Sequence, residues 1–283
     1  MSNEVYAGKD LGVQTFIASP ELIQQYIDGI GDRHPWYTGD SPFGGPVAPA
    51  LIFSGVSSLF SGWRLENPFG NLYTRQEWEL HHPVRPGERL SVAGQVADRY
   101  IRRNRDLVAL EMILRHASGE LTARGVHHQS FLLEQNSGEV QLRDPKAKEG
   151  AKIAASSTGL EIASLKKAIT LDMSLQYFGG VLNYHTDKAA AQALGFTDVV
   201  IGGRMELCLL SELMTREFGV GWFQGGRMDI KFTNVLWLDE PLNIRGFIRD
   251  RTPEGGKTRI HLEIIGEKVD GTRTIVGTAS ALQ

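Results

Sequence analysis

The chain has 283 residues, 41% of them hydrophobic and 22% charged, which is enough apolar material for one large core or two modest ones. Its 30 Lys and Arg against 33 Asp and Glu leave a net charge of -3, so there is neither a nucleic-acid footprint nor a polybasic membrane anchor. The single cysteine, Cys208, excludes an internal disulfide and fits a reducing compartment; set in Met205-Glu-Leu-Cys-Leu-Leu it reads as a buried, inert thiol.

The first residues, Met1 to Asp10, have no basic or apolar leader pattern, and no apolar run approaches the roughly 18 residues of a bilayer span, so a cytoplasmic address is the expectation. A helix is predicted from Ser19-Pro20 through Ile27, with Ser19 as cap and Pro20 in the first turn. Next come Gly31-Asp32-Arg33-His34-Pro35-Trp36-Tyr37, a Gly/Pro-rich elbow at Phe43–Pro49, and a second, apolar helix predicted over Ala50–Phe60. The period then changes to two. Glu77–His82, Arg89–Val96, Leu107–Leu114 and Leu121–Leu132 read as strands separated by turns. The basic cluster Arg102-Arg103-Asn104-Arg105 sits at a strand-turn-strand tip, a solvated turn that could also meet the phosphates of a nucleotide-bearing ligand.

Glu134 to Ser157, rich in Lys, Asp, Gly and Ser, reads as a linker. Beyond it the plan repeats, displaced by roughly 150 residues, about one small domain. Gln176-Tyr177 echoes Gln25-Tyr26. Gly179-Gly180-Val181-Leu182-Asn183-Tyr184-His185 is followed by the elbow Gly202-Gly203-Arg204 and a helix predicted from about Met205 to Phe218. Strands follow at Gly226–Phe232, Leu242–Ile248, Arg259–Gly266 and Thr274–Ala279. The expected organisation is a first unit over 1–135, a linker over 136–160 and a second unit over 161–283, each a helix covered by an antiparallel sheet in an α+β fold.

Several residues could carry chemistry. Asp32 and His34 can share one pocket if Gly31 and Pro35 turn the chain, and a carboxylate beside an imidazole can move protons at neutral pH; alternatively Asp32 caps a turn. The amides of Gly202 and Gly203 open a helix, where unpaired N–H groups and the dipole favour negative charge; the same glycines could simply let the helix approach the sheet. Arg204 is either a surface residue or a clamp for a carboxylate or phosphate. The pairs His81-His82 and His127-His128 lie in strands, where neighbours point to opposite faces, so neither pair chelates one ion, and no metal or redox cofactor is implied.

Over nearly its whole length the pattern resembles the double-hotdog members of the MaoC-like, hydratase-2 group of (R)-specific enoyl-CoA hydratases and dehydratases. That family carries Gly-Asp-x-Asn-Pro-x-His ahead of a small-residue elbow; Asp and His hold the water, and a glycine N–H binds the thioester oxygen. The first half keeps Asp32 and Pro35, with His34 in the Asn place and Tyr37 in the His place, as in divergent N-terminal hotdogs that bind substrate. The second half keeps His185, with Gly180 in the Asp place and Gly203 at the oxyanion position. The resemblance implies a carbon–oxygen lyase of fatty-acid metabolism acting on an acyl-CoA, with coenzyme A present only as part of the substrate and the protein assembled as a homodimer. Asp32 with His34, or His185 with Asn183 in place of the missing carboxylate, would handle the water. The alternatives are a changed chemistry on the same scaffold, either a thioesterase or a hydratase, dehydratase or isomerase acting on a non-CoA small molecule, or a non-catalytic substrate-binding subunit.

Overall fold

Ser19 accepts a hydrogen bond from the Leu22 amide and Pro20 occupies the first turn, so helix α1 (Pro20–Ile30) starts where the sequence places it and ends at a left-handed Gly31 (φ 69°). The computed structural model describes residues 4–65, 71–102, 105–133 and 159–283. Most of the expected linker, and Arg103 and Asn104 of the basic turn, lie outside the described residues.

Strand β1 (Asp10–Ile17) precedes α1, and β2 (Leu72–Leu80), β3 (Arg89–Arg102), β4 (Arg105–Arg115) and β5 (Leu121–Leu132) follow it. In β3 the alternation is visible in the burial, with Leu90, Val92 and Val96 inward and Arg89, Ser91 and Gln95 outward. The second half opens with the short strands β6 (Leu160–Glu161) and β7 (Leu165–Lys167), then α2 (Leu171–Tyr177), α3 (Lys188–Ala193), α4 (Gly203–Phe218) and α5 (Val220–Phe223). Strands β8 (Arg227–Phe232), β9 (Leu242–Glu254), β10 (Lys257–Lys268) and β11 (Arg273–Leu282) complete it.

All the strands join one sheet in the order β1-β3-β4-β5-β2-β8-β11-β10-β9-β6, with β7 also on β9. The halves meet where β2 pairs antiparallel with β8 about the opposed residues Glu77 and Asp229. Two carboxylates face each other there, and Arg75 offsets the repulsion by gripping Asp229 through Nε and Nη2, each at 2.6 Å, while reaching Glu77 at 3.2 Å. On the opposite side of the sheet, helices α1 and α2 cross closely: a Cβ on Gly29 would lie 2.5 Å from the Tyr177 Cβ. Buried side chains from both halves form one continuous core.

The second-half central helix is as expected. Residues Met205 to Thr215 of α4 are buried on every side, and the helix packs on α1, α5, β7, β9 and β11. The helix expected over Ala50–Phe60 does not form; the segment is a succession of tight turns ending in a short 3-10 turn, Val56–Leu59. Its amides bond three residues back, Ile52 to Pro49, Ser54 to Leu51 and Val56 to Phe53. Ser54, Gly55, Ser57 and Ser58 explain this, being weak helix formers, and the Ser58 hydroxyl donates to the Gly55 carbonyl at 2.8 Å. The central helix of the first unit is thus replaced by a thinner coil, and among the described residues the second unit alone has a long central helix.

Trp78, at the seam on β2, is 1% exposed and packs its ring 5.1 Å from that of Phe53. Trp78→Ala is expected to lower the unfolding free energy by about 3–5 kcal/mol in urea denaturation. A loss well below 1 kcal/mol would contradict a core shared across the seam.

Candidate active site

The loop that carries the second-half motif is built by its own polar side chains. Gly179 and Gly180 turn the chain out of α2 with positive φ (62° and 74°). The Asn183 side-chain oxygen then accepts from the His185 amide at 2.8 Å, and Thr186 Oγ1 accepts from the Asn183 amide at 2.8 Å while donating to the Val181 carbonyl at 2.7 Å. Ser174 Oγ, on α2, donates to the His185 carbonyl at 2.5 Å, and Asp187 caps α3 by accepting from the Ala190 amide. Asn183 is therefore engaged in shaping the loop. Gly180, in the place of the family carboxylate, is exposed with nothing within 4 Å of the position its Cβ would take.

The loop fixes the imidazole of His185. Its Nδ1 lies 2.7 Å from the Val200 carbonyl. A carbonyl only accepts, so Nδ1 carries the proton and Nε2 keeps its lone pair. Nε2 makes no hydrogen bond among the described residues and faces Gly202, at 3.7 Å from where a Cβ there would sit. Phe178 stacks on the ring with centroids 5.0 Å apart. Burial holds the imidazole at about 4, well below its ordinary value; the Val200 carbonyl opposes this, and the Arg204 charge adds to it. At neutral pH His185 is an uncharged base.

Gly202 caps α4 and Gly203 opens it, so the Gly203 amide is one of the helix's unpaired donors. No side chain would fit at Gly203, since a Cβ would lie 2.8 Å from the Phe232 ring and 3.1 Å from that of Tyr73. Arg204 is half-buried, which departs from the surface reading. Its guanidinium lies over Tyr177 and Phe178, 6.0 and 5.4 Å from the ring centroids, and no carboxylate among the described residues pairs with it. It lines a cavity of about 330 Å³ walled by β1, α1 and the turns at 52–59, with Tyr177 of α2.

The first-half motif has another arrangement. Asp32 is 2% exposed and accepts a 2.7 Å hydrogen bond from the Tyr37 hydroxyl, so the residue in the His place is its partner. His34 is not bonded to Asp32; its Nδ1 accepts from the Trp36 amide at 3.4 Å at the start of a 3-10 turn. Burial raises the Asp32 carboxyl, opposed chiefly by Tyr37 and by Lys167. Lys167 ties this corner to α4, bonding the Ile30 and Gly31 carbonyls and the buried Glu212, which also meets Arg216. The structure thus brings His185, Gly202, Gly203 and Arg204 together at the start of α4 and sets Asp32, His34 and Tyr37 against the far part of the same helix.

Sequence reasoning missed Tyr177, Ser54, Gly55 and Tyr26, which line the cavity with Arg204. Only the echo of Gln25-Tyr26 in Gln176-Tyr177 singled out any of them. Of the histidine pairs, His127 is buried, stacked 4.1 Å from Tyr73 and held near 3 by burial, while His128 bonds Glu77 at 2.9 Å. Among the described residues no three His, Cys, Asp or Glu side chains group as metal ligands, and no helix is long and apolar enough to cross a membrane. Tyr37→Phe is expected to cost about 1–3 kcal/mol in urea unfolding by removing the one donor to a buried carboxyl. An unchanged midpoint would show that the Asp32–Tyr37 contact contributes nothing.

No family model matches the chain. In sequence it is similar to a UPF0336 protein of Cutibacterium acnes, 24% identical over 107 residues, covering 37% of this chain and 75% of that protein. In structure it is similar to a MaoC-like dehydratase from Phytophthora capsici (TM-score 0.72, 15% identity, 99% of this chain and 97% of that one). It also resembles a Mycobacterium tuberculosis protein described as having a double hotdog fold (TM-score 0.66, 14% identity, 99% of each chain). The full-length peroxisomal multifunctional enzyme type 2 of Drosophila melanogaster matches over 96% of this chain at 17% identity and a TM-score of 0.68, the match taking up 48% of that enzyme, so this chain spans about half its length. With two helix-and-sheet units joined through β2 and β8, the chain has the double-hotdog fold and resembles the MaoC-like dehydratases in it.

Proposed function

We propose that the protein is a hydratase/dehydratase that adds water to, or removes it from, the carbon–carbon double bond of an acyl thioester, converting an enoyl-CoA to a 3-hydroxyacyl-CoA. The observation that carries this reading is the free Nε2 of a neutral, half-buried His185 beside the unpaired amides at the start of α4. In this reading the thioester oxygen sits against the Gly203 N–H and the positive end of the helix dipole, which draws electron density from the double bond and leaves the β-carbon open to attack. Water attacks that carbon while Nε2 takes one of its protons. The electron pair displaced from the double bond collects on the thioester oxygen as an enolate. It returns to form the bond between the α-carbon and the proton that Nε2 gives back. The imidazole ends neutral, and nothing is oxidised or reduced.

One histidine therefore serves as base and then acid, the work that the family divides between Asp and His. A ring held near 4 suits the second role, because its protonated form releases the proton readily, and it stays in the base form through the neutral range. The acyl group enters the cavity that reaches Arg204, the residue after Gly203.

Purified protein incubated with trans-2-enoyl-CoAs is expected to consume the conjugated thioester absorbance, and His185→Ala to slow this by about 10²–10⁴-fold. Loss in His34→Ala with His185→Ala active would move the chemistry to the first half. Release of free coenzyme A would make the protein a thioesterase, and binding without turnover would make it a non-catalytic subunit. The pH dependence of kcat/KM separates this histidine from an ordinary one. The active form is unprotonated, so activity is expected to hold from pH 8 down to about 5 and to fall as the pH approaches about 4. A decline centred near 6.5, the ordinary imidazole value, would contradict the role given to the buried ring.

A further inference from the structure

The cavity beside the reacting centre has one feature that an ordinary acyl chain does not need. Its walls include the aliphatic side chains of Ile17, Leu22, Ile52, Val56 and Leu59, yet it contains the Arg204 guanidinium. That group has five N–H donors, and none has an acceptor among the described residues; its neighbours are the faces of Tyr177 and Phe178. Such ring contacts stabilise a cation by about 0.5–2 kcal/mol and leave the fork of donors unused.

The space for the guanidinium is built in. A Cβ on Gly55 would collide with Arg204 Nη1, so the guanidinium would have to shift from its place if residue 55 carried a side chain. Gly55 has φ -92° and ψ 0°, which other residues adopt, so its backbone does not demand glycine. Three hydroxyls, of Ser54, Tyr177 and Tyr26, line the same cavity. Ser54 Oγ and the Tyr177 hydroxyl are 3.0 Å apart, and the Tyr26 hydroxyl, buried beside the Cys208 thiol, makes no hydrogen bond of normal geometry. A donor fork with hydroxyls in a cavity that also has aliphatic walls fits a ligand with an apolar body and an anionic, planar end.

Resting on the proposed hydratase reading, we infer that the acyl group of the substrate carries a free carboxylate, which Arg204 binds: the protein acts on the monothioester of a short dicarboxylic acid. Chain order limits the length. Arg204 directly follows Gly203, so a carboxylate in its fork lies within one side chain's reach of the thioester oxygen. A single guanidinium, with no second cation lining the cavity, matches the single charge of a carboxylate better than the double charge of a phosphate.

Calorimetric binding of saturated acyl-CoAs, which cannot be hydrated, tests this apart from catalysis. Succinyl-CoA and glutaryl-CoA are compared with their methyl-ended counterparts butyryl-CoA and valeryl-CoA. The intact protein is expected to bind at least one carboxylate-ended member about tenfold or more tightly than its counterpart. That ratio is expected to collapse toward one in Arg204→Gln and, with Arg204 still present, in Gly55→Ala, which displaces the guanidinium; circular dichroism checks that both variants fold. Equal affinities in the intact protein would overturn the inference, as would no binding of any of the four, or weakening of free coenzyme A by Arg204→Gln to the same extent, which would assign the arginine to the carrier. A carboxylate preference without hydration of the matching unsaturated substrate would uphold the anion site and defeat the hydratase reading. Hydration of methyl-ended enoyl-CoAs with no carboxylate preference would do the reverse.

Discussion

A helix that is buried on every face cannot lie on a surface, and α4 is such a helix. From Met205 to Thr215 each residue is buried, so the sheet must curve around it and the other elements must close the remaining sides. β9 and β11 cover it from the sheet, while β7, α1 and α5 cover the rest. Burial of the shaft leaves the two ends as the places where polar chemistry can occur. At the C-terminal part the polar groups are consumed internally, Glu212 by Lys167 and Arg216, and Asp32 by Tyr37. At the N-terminal end the Gly203 amide and the Arg204 guanidinium have no acceptor among the described residues, and it is there that His185 presents its free nitrogen.

The asymmetry between the halves follows from one local difference. Where the second half has an unbroken apolar helix, the first has Ser54, Gly55, Ser57 and Ser58, which coil into turns of smaller girth. These turns line the cavity, and the glycine that weakens the helix is the one beside which the Arg204 guanidinium lies. The two motifs diverge in the same sense. The first retains the carboxylate but spends it on a buried tyrosine; the second retains the imidazole and has an exposed glycine where the carboxylate would be.

The strands and helix starts were legible because they depend on local chemistry. Period-two alternation at Arg89–Val96 and the Ser19 cap each need only a few neighbouring residues, and each forms as read. The turn segment at Ala50–Phe60 was misread because its apolar residues mimic a helix, while the features that break it, four small or hydroxylated residues and an arginine from 149 positions later, lie partly outside any local window. Proximity of His185, Gly203 and Arg204 could be anticipated, since a short loop and one helix start carry all three. The pairing of Asp32 with Tyr37 rather than His34 could not, because it depends on how a 3-10 turn rotates successive side chains. Tyr26 and Tyr177 stood out only as an echo in the repeat; their meeting at the cavity requires α1 and α2 to cross at Gly29.

A hydratase with one imidazole faces a constraint that a carboxylate–imidazole pair avoids. With two groups, one takes a proton from water while another, already protonated, supplies the α-carbon, so both can act in one step. With one, the proton taken must be the proton returned, and the enolate must survive in between. The burden then moves to whatever stabilises the oxygen: the Gly203 amide and helix dipole, with the Arg204 charge one residue away. The same cation depresses His185, which weakens the ring as a base and strengthens its conjugate acid. Arg204 is thus coupled to both halves of the proposed reaction, and a substrate carboxylate bound to it would screen that charge. Burial is the larger cause of the low imidazole value, so binding of such a substrate would lift it only in part, yet recognition of the acyl group and the basicity of the ring would be linked through one guanidinium.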